Sequence, residues 1–402
     1  MDYVDLGYKP RASDLICDFY VEPVTKETAG AVAAESSTGT WTELTTSKRY
    51  VERLAARVFS IKGNNIRIAY PIELFESGNM PNILSSVAGN VFGMKDLRNL
   101  RLNDIHFPSG IVKAYKGPYY GIKGIRKLLH VPKRPLVGTI VKPKLGLRTV
   151  DHARVAYDAW AGGCDIVKDD ENLSSQSFNT FEKRVVQTLK ARDRAERETG
   201  ERKVYMANVT AETNEMLRRA RFVKQHGGEY AMVDIITCGW SAMQTLREAN
   251  DDLKLVLHAH RAMHAAFTKN PKHGINMRVI SKVTRLIGLD QLHIGTAVGK
   301  MFEARADVLA NRNALIEPLG KIRATFPVAS GGLQPGNIPQ LVKIFGKDVI
   351  MQFGGGINGH PLGTRAGAQA VRQALDATLN GYTLTEYARR HNELAVALKH
   401  WQ

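Results

Sequence analysis

The chain has 402 residues, of which 44% are hydrophobic and 24% charged, so its composition is that of a globular protein with a large core. Its formal net charge is +17, yet the basic residues are dispersed and mixed with acidic ones, which favours a small anionic substrate over nucleic acid. The three cysteines are widely spaced, which argues against disulfides and a zinc cluster. The first residues show no signal-peptide pattern, and no apolar run reaches the roughly 20 residues that a membrane-spanning helix needs. We therefore expect a cytoplasmic protein.

The first part of the chain, residues 1–115, is predicted to form a small α+β domain. Its elements alternate between short strands and short helices, and a Gly-Asn turn between two apolar runs is typical of a β-hairpin. We expect a strand, an Ala-rich helix, the two hairpin strands and a second helix at 14–21, 26–35, 58–61, 65–70 and 72–87.

The second part, residues 116–402, has a different sequence pattern, in which short apolar runs alternate with amphipathic helical segments. The eight runs lie at 136–141, 164–167, 204–209, 231–236, 253–257, 291–294, 326–329 and 349–353. Helical patterns lie at 150–161, 178–199, 212–225, 240–249, 274–287 and 338–345. This alternation predicts an α/β fold with a C-terminal (β/α)8 TIM barrel. A doubly wound sheet is the alternative, but it would usually require a Gly-rich first turn.

The second of these runs ends in a concentrated charge cluster, Lys168-Asp169-Asp170-Glu171. Carboxylates at one strand end suit a hard divalent cation, usually Mg²⁺. The lysine is unexpected there, because an ammonium group repels a metal ion. The simpler interpretation is a solvated loop whose charges pair with each other, since short motifs often match by chance.

Polar and glycine residues also follow most of the other runs, and in a barrel these strand ends meet at the rim where catalysis takes place. Taken singly, each residue has a simpler explanation, as a tight turn, a hydrogen-bonded histidine or an ion pair. Together, the glycine-rich ends predict a phosphate site and the cations a bound anion, so we expect a phosphorylated substrate whose reacting carbons lie over a metal. The residues are Lys142, Lys144, Asn208, Thr210, His258, His260, Arg261, His264, His293, Lys300, Ser330, Gly331, Gly332, Gly354, Gly355 and Gly356.

The crowding of lysines at this rim suggests how Lys168 could belong to a metal site. A lysine beside other cations in a partly dry site has a lowered pKa. Its neutral amine can then attack CO2, and the resulting carbamate is an anion that can bind Mg²⁺.

Seven ordered sequence blocks resemble the large subunit of ribulose-1,5-bisphosphate carboxylase/oxygenase (RuBisCO), most closely the form III enzymes typical of archaea. The resemblance runs from Tyr3 to the C-terminal helix. The blocks are 33–41, 89–93, 142–146, 162–172, 260–265, 293–296 with Gly299 and Lys300, and 330–332 with 352–356.

The resemblance implies an enzyme that carboxylates, and also oxygenates, ribulose 1,5-bisphosphate through an enediolate, giving 3-phosphoglycerate from the CO2 reaction. It implies that an activating CO2 forms a carbamate on Lys168. The carbamate, Asp170 and Glu171 would hold Mg²⁺, and Asp169 would be a neighbour that does not bind the metal.

The remaining roles also come from the resemblance. Lys142 would act as acid and base near C2 of the substrate with support from Lys144, His260 would assist proton transfer, and Lys300 on a lid would orient CO2. Substrate and phosphate binding would fall to Arg261, His293, Ser330, Gly331, Gly332, Gly354 and Gly355. The N-terminal domain would cover the partner subunit's active site with Glu35, Thr40, Trp41 and Asn90. A head-to-tail homodimer without a small subunit is therefore expected, with further assembly of dimers left open.

The chain departs from the family pattern at the lid, where Met301-Phe302-Glu303-Ala304 lacks the usual glycine after the glutamate. Lid closure controls water exclusion and turnover, so this change concerns the rate of closure and CO2/O2 selectivity. Two alternatives remain: a RuBisCO-like sugar-phosphate enolase or isomerase that does not fix CO2, and a basic nucleic-acid-binding barrel. RuBisCO-like proteins typically replace several of the residues named above, and none is replaced here.

Overall fold

The computed structural model describes residues 2–40, 42, 44–298 and 303–401. The chain forms two compact units. The N-terminal unit contains Met1–Gly117 with the later segments Met263–Gly288 and Glu317–Ile322, and the barrel unit contains Pro118–Ala262, Leu289–Ile316 and Arg323–Gln402. Strands and helices are numbered in chain order through both units.

The N-terminal unit contains a five-stranded sheet in the order β10-β4-β1-β3-β2. Its strands are β1 Leu15–Glu22, β2 Arg57–Lys62, β3 Asn65–Tyr70, β4 Asn99–His106 and β10 Gly274–Ile275. Alternate residues of β1 are buried, so one face of this central strand lies in the core. Strands β2 and β3 pair antiparallel around Gly63 at φ +53°, which confirms the predicted hairpin.

The helices of this unit are α1 Lys26–Glu35, α2 Met80–Val87, α3 Ser109–Val112, α10 Ala265–Thr268 and α11 Met277–Ile287, with 3₁₀ turns at Arg49–Leu54, Ile72–Leu74 and Asn90–Gly93. The expectation of one helix over 72–87 is wrong in its first half. Gly78 adopts φ +78°, and the helix begins only after Asn79, whose side chain accepts from the Asn82 N–H. The helix expected at 274–287 likewise begins at Met277, because Gly274–Ile275 pairs with β4.

The barrel unit contains a closed barrel of eight parallel strands, which confirms the predicted fold class. Its strands are β5 Leu136–Ile140, β6 Ile166–Lys168, β7 Val204–Asn208, β8 Tyr230–Asp234, β9 Val256–His260, β11 Gln291–Gly295, β12 Phe326–Ser330 and β13 Ile350–Phe353. Its helices are α4 Gly121–Leu129, α5 Thr149–Ala161, α6 Phe181–Thr199, α7 Thr213–Gln225, α8 Ile235–Cys238, α9 Trp240–Leu253, α12 Arg305–Ile316, α13 Ile338–Phe345, α14 Gly355–Asn358, α15 Thr364–Leu379, α16 Leu384–Ala388 and α17 Asn392–His400.

The barrel strands are buried along almost their whole length, as expected for parallel strands covered by helices. Apolar side chains from most of the strands, among them Leu136, Ile166, Val204, Met232, Val328 and Ile350, form one core cluster, joined by Ile125 and Leu129 of α4. All eight strands differ from the predicted runs by one to three residues at one end or both. Strand β8 ends at Asp234 because α8 follows directly, and Leu253 ends α9 instead of starting β9.

Among the described residues, no helix combines the length and the apolar character that crossing a membrane requires.

The close approach of α15 to α14 gives a test of the packing beside β13. A Cβ built on Gly367 of α15 would lie 2.1 Å from the Ile357 carbonyl oxygen of α14. We expect Gly367→Ala to lower the free energy of unfolding by about 1–3 kcal/mol, because backbone would have to move. Gly93→Ala is the control, since a Cβ at exposed Gly93 meets no heavy atom within 4 Å. Equal melting temperatures of the two variants by calorimetry would contradict this packing.

Candidate active site

The end of β6 carries a buried lysine among carboxylates. Lys168 is 1% exposed, and its Nζ donates to the Asp169 carbonyl oxygen at 2.8 Å and lies 3.5 Å from Glu171 Oε2. At the end of β5, Lys142 Nζ donates to Asp170 Oδ2 at 2.7 Å. The two lysines and the two predicted metal-binding carboxylates therefore form one connected cluster at the carboxyl ends of neighbouring strands.

The electrostatics of this cluster make the Lys168 ammonium easier to deprotonate than that of an ordinary lysine. Burial lowers the pKa of Lys168, and the nearby carboxylates, led by Glu171, only partly oppose this. Burial would raise the pKa of Glu171, but Lys168 and His260 outweigh it and bring the pKa to about 2. The site thus combines an ionised carboxylate with an amine that is easier to deprotonate than an ordinary lysine.

Asp169 lies in a different environment from its two acidic neighbours. Arg184 Nε lies 3.1 Å from Asp169 Oδ2, the Tyr205 hydroxyl donates to Oδ1 at 2.7 Å, and the Asn208 N–H donates to Oδ2 at 3.0 Å. His152 Nε2 lies 3.1 Å from Oδ1. Burial opposes ionisation, but Arg184 and the other donors prevail, so the pKa of Asp169 lies well below its usual range. This carboxylate anchors the loop, and its oxygens are already engaged.

The Asn208 side chain holds the same loop from β7. Its Nδ2 donates to the carbonyl oxygens of Glu171 and Leu173, each at 3.0 Å. Asn208 was predicted only as a polar strand-end residue, and its role here is to fix the backbone that carries Asp170 and Glu171.

His260 is oriented from both sides. Its Nδ1 lies 2.9 Å from Asp234 Oδ1 and 3.2 Å from the backbone nitrogen of Ala262, and its Nε2 lies 3.6 Å from Glu171 Oε2. Asp234 was not predicted as a site residue. The signal was present, because Asp234 interrupts the apolar run 231–236, but that run was interpreted as continuing to Ile236.

His293 lies beside His260, with ring centroids 4.8 Å apart. Its Nε2 is 2.9 Å from His258 Nε2, and His258 Nδ1 is 2.9 Å from Gln291 Oε1. Burial, with the charges of His260 and His258, places the pKa of His293 well below its ordinary value. The sequence identified the histidines as rim residues but not Gln291, which lies inside the apolar run.

Arg261 and Glu303 form a bidentate ion pair, with Nη–Oε distances of 2.5 and 2.7 Å. Gly295, at φ +96°, makes room for it, because a Cβ there would lie 2.5 Å from Glu303 Oε2. Glu303 was noted only as part of the unusual lid sequence. The pairing means that a substrate anion would have to compete with Glu303 for Arg261.

The predicted phosphate-binding glycines lie after β12 and β13. Gly331 and Gly332 adopt φ +119° and +67°, which L side chains rarely adopt. Asn358 Nδ2 donates to the carbonyl oxygens of Gly354 and Ile140, each at 3.0 Å, and so ties the β13 loop to β5. A Cβ on Gly354 would lie 3.6 Å from Lys142 Cε, which brings this loop beside the charged cluster.

Some of the other predicted residues lie at the barrel rim, some lie in the N-terminal unit, and two lie outside the described residues. Lys144 follows β5 and is exposed, and Ser330 ends β12. In the N-terminal unit, Glu35 ends α1, Thr40 lines a cavity of about 930 Å³, and Asn90 begins a 3₁₀ turn. Trp41 and Lys300 lie outside the described residues.

The donor set at the end of β6 fits Mg²⁺. Asp170 and Glu171 supply carboxylate oxygens, and a carbamate on Lys168 would supply a third anionic group on the same strand end. Without a third anion the set would be one amine and two carboxylates, which suits Mg²⁺ poorly.

The buried Arg184–Asp169 pair gives a test of the loop's anchorage. Arg184→Met leaves Asp169 buried without its main counter-charge, so we expect a loss of about 3–5 kcal/mol in the free energy of unfolding. Arg194→Met on the same helix is the control, since Arg194 is exposed and solvent screens its pair with Glu198, so the substitution should change the stability little. Denaturant unfolding of both variants measures the difference, and similar losses would show that Asp169 needs no counter-charge.

Two sequence families match the chain. The model of the ribulose bisphosphate carboxylase large chain, catalytic domain, matches residues 121–401, and that of the N-terminal domain matches residues 2–111. The ribulose bisphosphate carboxylases of Methanosarcina barkeri and Pyrococcus furiosus are 53% and 50% identical to the chain. These alignments cover 100% of the chain and 99% and 97% of the relatives.

Solved structures agree with the sequence matches. The octameric RuBisCO from Pyrococcus horikoshii OT3, crystallised with sulfate ion, superposes with a TM-score of 0.96 at 48% identity, covering 99% of this chain and 96% of that one. The dimeric archaeal RuBisCO from Hyperthermus butylicus gives 0.93 at 44% identity, covering 99% and 98%. The chain therefore belongs to the ribulose bisphosphate carboxylase large-chain family, among its archaeal, form III-type members, and is a carboxylase.

Proposed function

We propose that the protein catalyses the Mg²⁺-dependent carboxylation of ribulose 1,5-bisphosphate to 3-phosphoglycerate, with oxygenation as a competing reaction, after activation by a CO2 bound to Lys168. The observation that carries this proposal is the position of Lys168, a fully buried amine at the end of β6 with Glu171 at 3.5 Å and Asp170 close by.

Carbamylation resolves the charge problem of this site. Loss of a proton from the Lys168 ammonium gives the neutral amine, a step that burial favours by lowering the pKa of the lysine. The amine nitrogen then attacks the carbon of CO2: a C–N bond forms, one C=O π pair moves onto oxygen, and a second proton leaves the nitrogen for solvent. The side chain thereby changes from a cation to an anion. Asp170, Glu171 and the carbamate would hold Mg²⁺, which supplies positive charge where negative charge develops on the substrate oxygens.

Two further groups are proposed to transfer protons. Lys142, half-buried beside Asp170, is proposed as the acid and base near C2 of the substrate, supported by Lys144. His260 is proposed to assist proton transfer through its Nε2, which faces Glu171, while Asp234 orients the ring at Nδ1. Lys300 is proposed to orient the substrate CO2.

The substrate's phosphates are proposed to bind at the glycine-rich strand ends and the neighbouring cations. Backbone N–H groups at these glycines suit an anion because no side chain separates them from it. The residues are Arg261, His293, Ser330, Gly331, Gly332, Gly354 and Gly355.

We further propose a homodimer in which the N-terminal domain, residues 1–115, completes the partner's barrel, residues 116–402, with Glu35, Thr40, Trp41 and Asn90. The dimeric and octameric assemblies of archaeal relatives support a homo-oligomer. No small subunit is expected, and the cytoplasmic location stays a prediction.

The carboxylase proposal predicts that wild-type protein incubated with bicarbonate and Mg²⁺ incorporates labelled CO2 into 3-phosphoglycerate. Lys168→Ala should lose at least about 10³-fold in turnover, because it removes both the carbamate and a metal ligand. The ¹³C resonance of a lysine carbamate should appear in wild type and be absent from the variant.

The matched control removes a buried lysine elsewhere in the barrel unit. Lys203 is fully buried and pairs with Glu201, which keeps Arg372 as a second partner at 3.2 Å. Lys203→Met should retain the carbamate signal and turnover. Unlabelled product from folded wild type would overturn the carboxylase proposal, and normal turnover of Lys168→Ala would overturn the carbamate assignment.

The shared site predicts complementation between two inactive variants. Glu35→Gln and Lys168→Ala homodimers should each lose most activity, whereas random co-assembly should restore about a quarter of wild-type sites, because the mixed dimer contains one intact pair. Turnover of the co-expressed mixture measures this, and mixed dimers purified through a different tag on each chain should reach about half of the wild-type value. If each site is built within one chain, the mixture should stay inactive.

A further inference from the structure

The end of β7 lies between the two strand ends that carry much of the proposed chemistry. In the barrel, β7 pairs with β6 on one side and with β8 on the other. Strand β6 leads into Asp170 and Glu171, and β8 ends at Asp234, which lies beside His260. Strand β7 itself ends at Asn208. Side chains at the end of β7 can therefore act on both neighbouring strand ends.

Asn208 is bonded through both atoms of its amide. It is fully buried, and its Nδ2 donates to the carbonyl oxygens of Glu171 and Leu173, each at 3.0 Å. Its Oδ1 accepts from the Thr210 N–H at 3.0 Å. Reversing the amide would set its oxygen against two carbonyl oxygens and its NH2 against an N–H donor, so these partners fix its orientation. The side chain thus joins the loop after β6 to the turn after β7.

Thr210 continues this connection to β8. Its Oγ1 accepts from the Asp234 backbone N–H at 3.0 Å, and its carbonyl oxygen accepts from Arg219 at 3.1 Å. Arg219 also donates to Ser174 Oγ at 2.8 Å, in the loop after β6. Asp234 Oδ1 in turn lies 2.9 Å from His260 Nδ1. The turn after β7 therefore holds the backbone of both neighbouring strand ends.

The position of Asn208 suits a group that supports metal ligands. Mg²⁺ requires oxygen ligands close to octahedral geometry, so movement of the loop that carries them would weaken binding. Groups that hold metal ligands in place typically change metal affinity or activity about ten- to hundredfold when they are removed. Asn208 bonds to the backbone carbonyl of Glu171, which leaves the carboxylate of that residue available to a metal ion.

We propose that Asn208 and Thr210 are positioning residues with separable roles. Asn208 holds the loop after β6 and so sets its affinity for Mg²⁺. Thr210 holds the backbone of Asp234 and, through it, the ring of His260. This inference rests on the proposed function, in which the loop binds the metal and His260 assists proton transfer.

The Mg²⁺ dependence of carbamate formation tests the role of Asn208 without turnover. The ¹³C resonance of the lysine carbamate is followed at fixed bicarbonate while the Mg²⁺ concentration is raised. Asn208→Ala should raise the Mg²⁺ concentration at half-maximal signal about tenfold or more, and excess Mg²⁺ should restore the full signal. If Asn208→Ala does not fold, Asn208→Ser takes its place, because its hydroxyl is too short to reach both carbonyl oxygens. An unchanged midpoint in the folded variant would overturn the role of Asn208.

The matched control for this measurement is Asn250→Ala. Asn250 is also fully buried, and its amide bonds to the backbone carbonyl and N–H of Leu255, at 2.8 and 2.9 Å. Leu255 directly precedes β9, so this asparagine supports the start of a strand and not its end. Asn250→Ala should lower the melting temperature and leave the Mg²⁺ midpoint unchanged. If it shifts the midpoint as far as Asn208→Ala does, the effect is a general loss of stability and the inference is wrong.

Kinetics of Thr210 variants test the second role. Thr210→Val removes the acceptor of the Asp234 N–H at nearly constant volume, so kcat should fall about three- to tenfold, the effect of one hydrogen bond. The Mg²⁺ midpoint of the carbamate signal should stay at the wild-type value, and Thr210→Ser, which keeps the hydroxyl, should restore kcat. Thr188→Val is the control, because Thr188 is fully buried on α6 and its hydroxyl has no partner among the described residues. Equal kcat in Thr210→Val and Thr188→Val would overturn the role of Thr210.

Failure of the proposed function gives a different result from failure of this inference. Folded wild-type protein with neither a carbamate signal nor turnover would refute the proposed function, and the inference with it. Wild-type protein that shows both, with variants that match it in Mg²⁺ midpoint and kcat, would refute the inference alone.

Discussion

The active-site rim depends on one constraint: an amine is buried at the end of β6 beside carboxylates. Water would stabilise the Lys168 ammonium, and the barrel interior does not, so the neutral amine becomes accessible. Carbamylation would replace this amine, which repels a metal ion, with an anion, so that the carbamate, Asp170 and Glu171 could each offer oxygen atoms to a metal. The other features of the site either hold this strand end in place or orient groups around it.

Three consecutive residues after β6 have different surroundings: Asp169 anchors the loop, whereas Asp170 and Glu171 lie beside lysines. Asp169 turns inward to Arg184 and Tyr205, which leaves Asp170 and Glu171 to face Lys142 and Lys168. An arrangement of this kind would hold the proposed ligands in place before a metal ion binds, which would reduce the reorganisation that binding requires.

Much of the fold could be predicted because its signals are local. Eight apolar runs and the helices between them follow from periodicity, and the barrel closes as expected. The errors occur where short-range geometry overrides periodicity: Gly78 and the Asn79 cap break one expected helix, and α8 cuts β8 short at Asp234. Asp234 and Gln291 were not predicted as site residues. Each belongs to an apolar run, and the sequence of one strand does not show which side chains of a neighbouring strand face it.

The sequence by itself determined the strand ends that carry charge, and with the family resemblance it named the residues expected to act there. Only the tertiary structure decided which of these groups touch. Lys142 and Asp170 are 28 positions apart, and Arg261 and Glu303 are 42 apart, yet each pair is in direct contact. Contacts of this kind arise from the closure of the barrel, which places successive strands side by side. No local pattern encodes the partner that a buried charge will find.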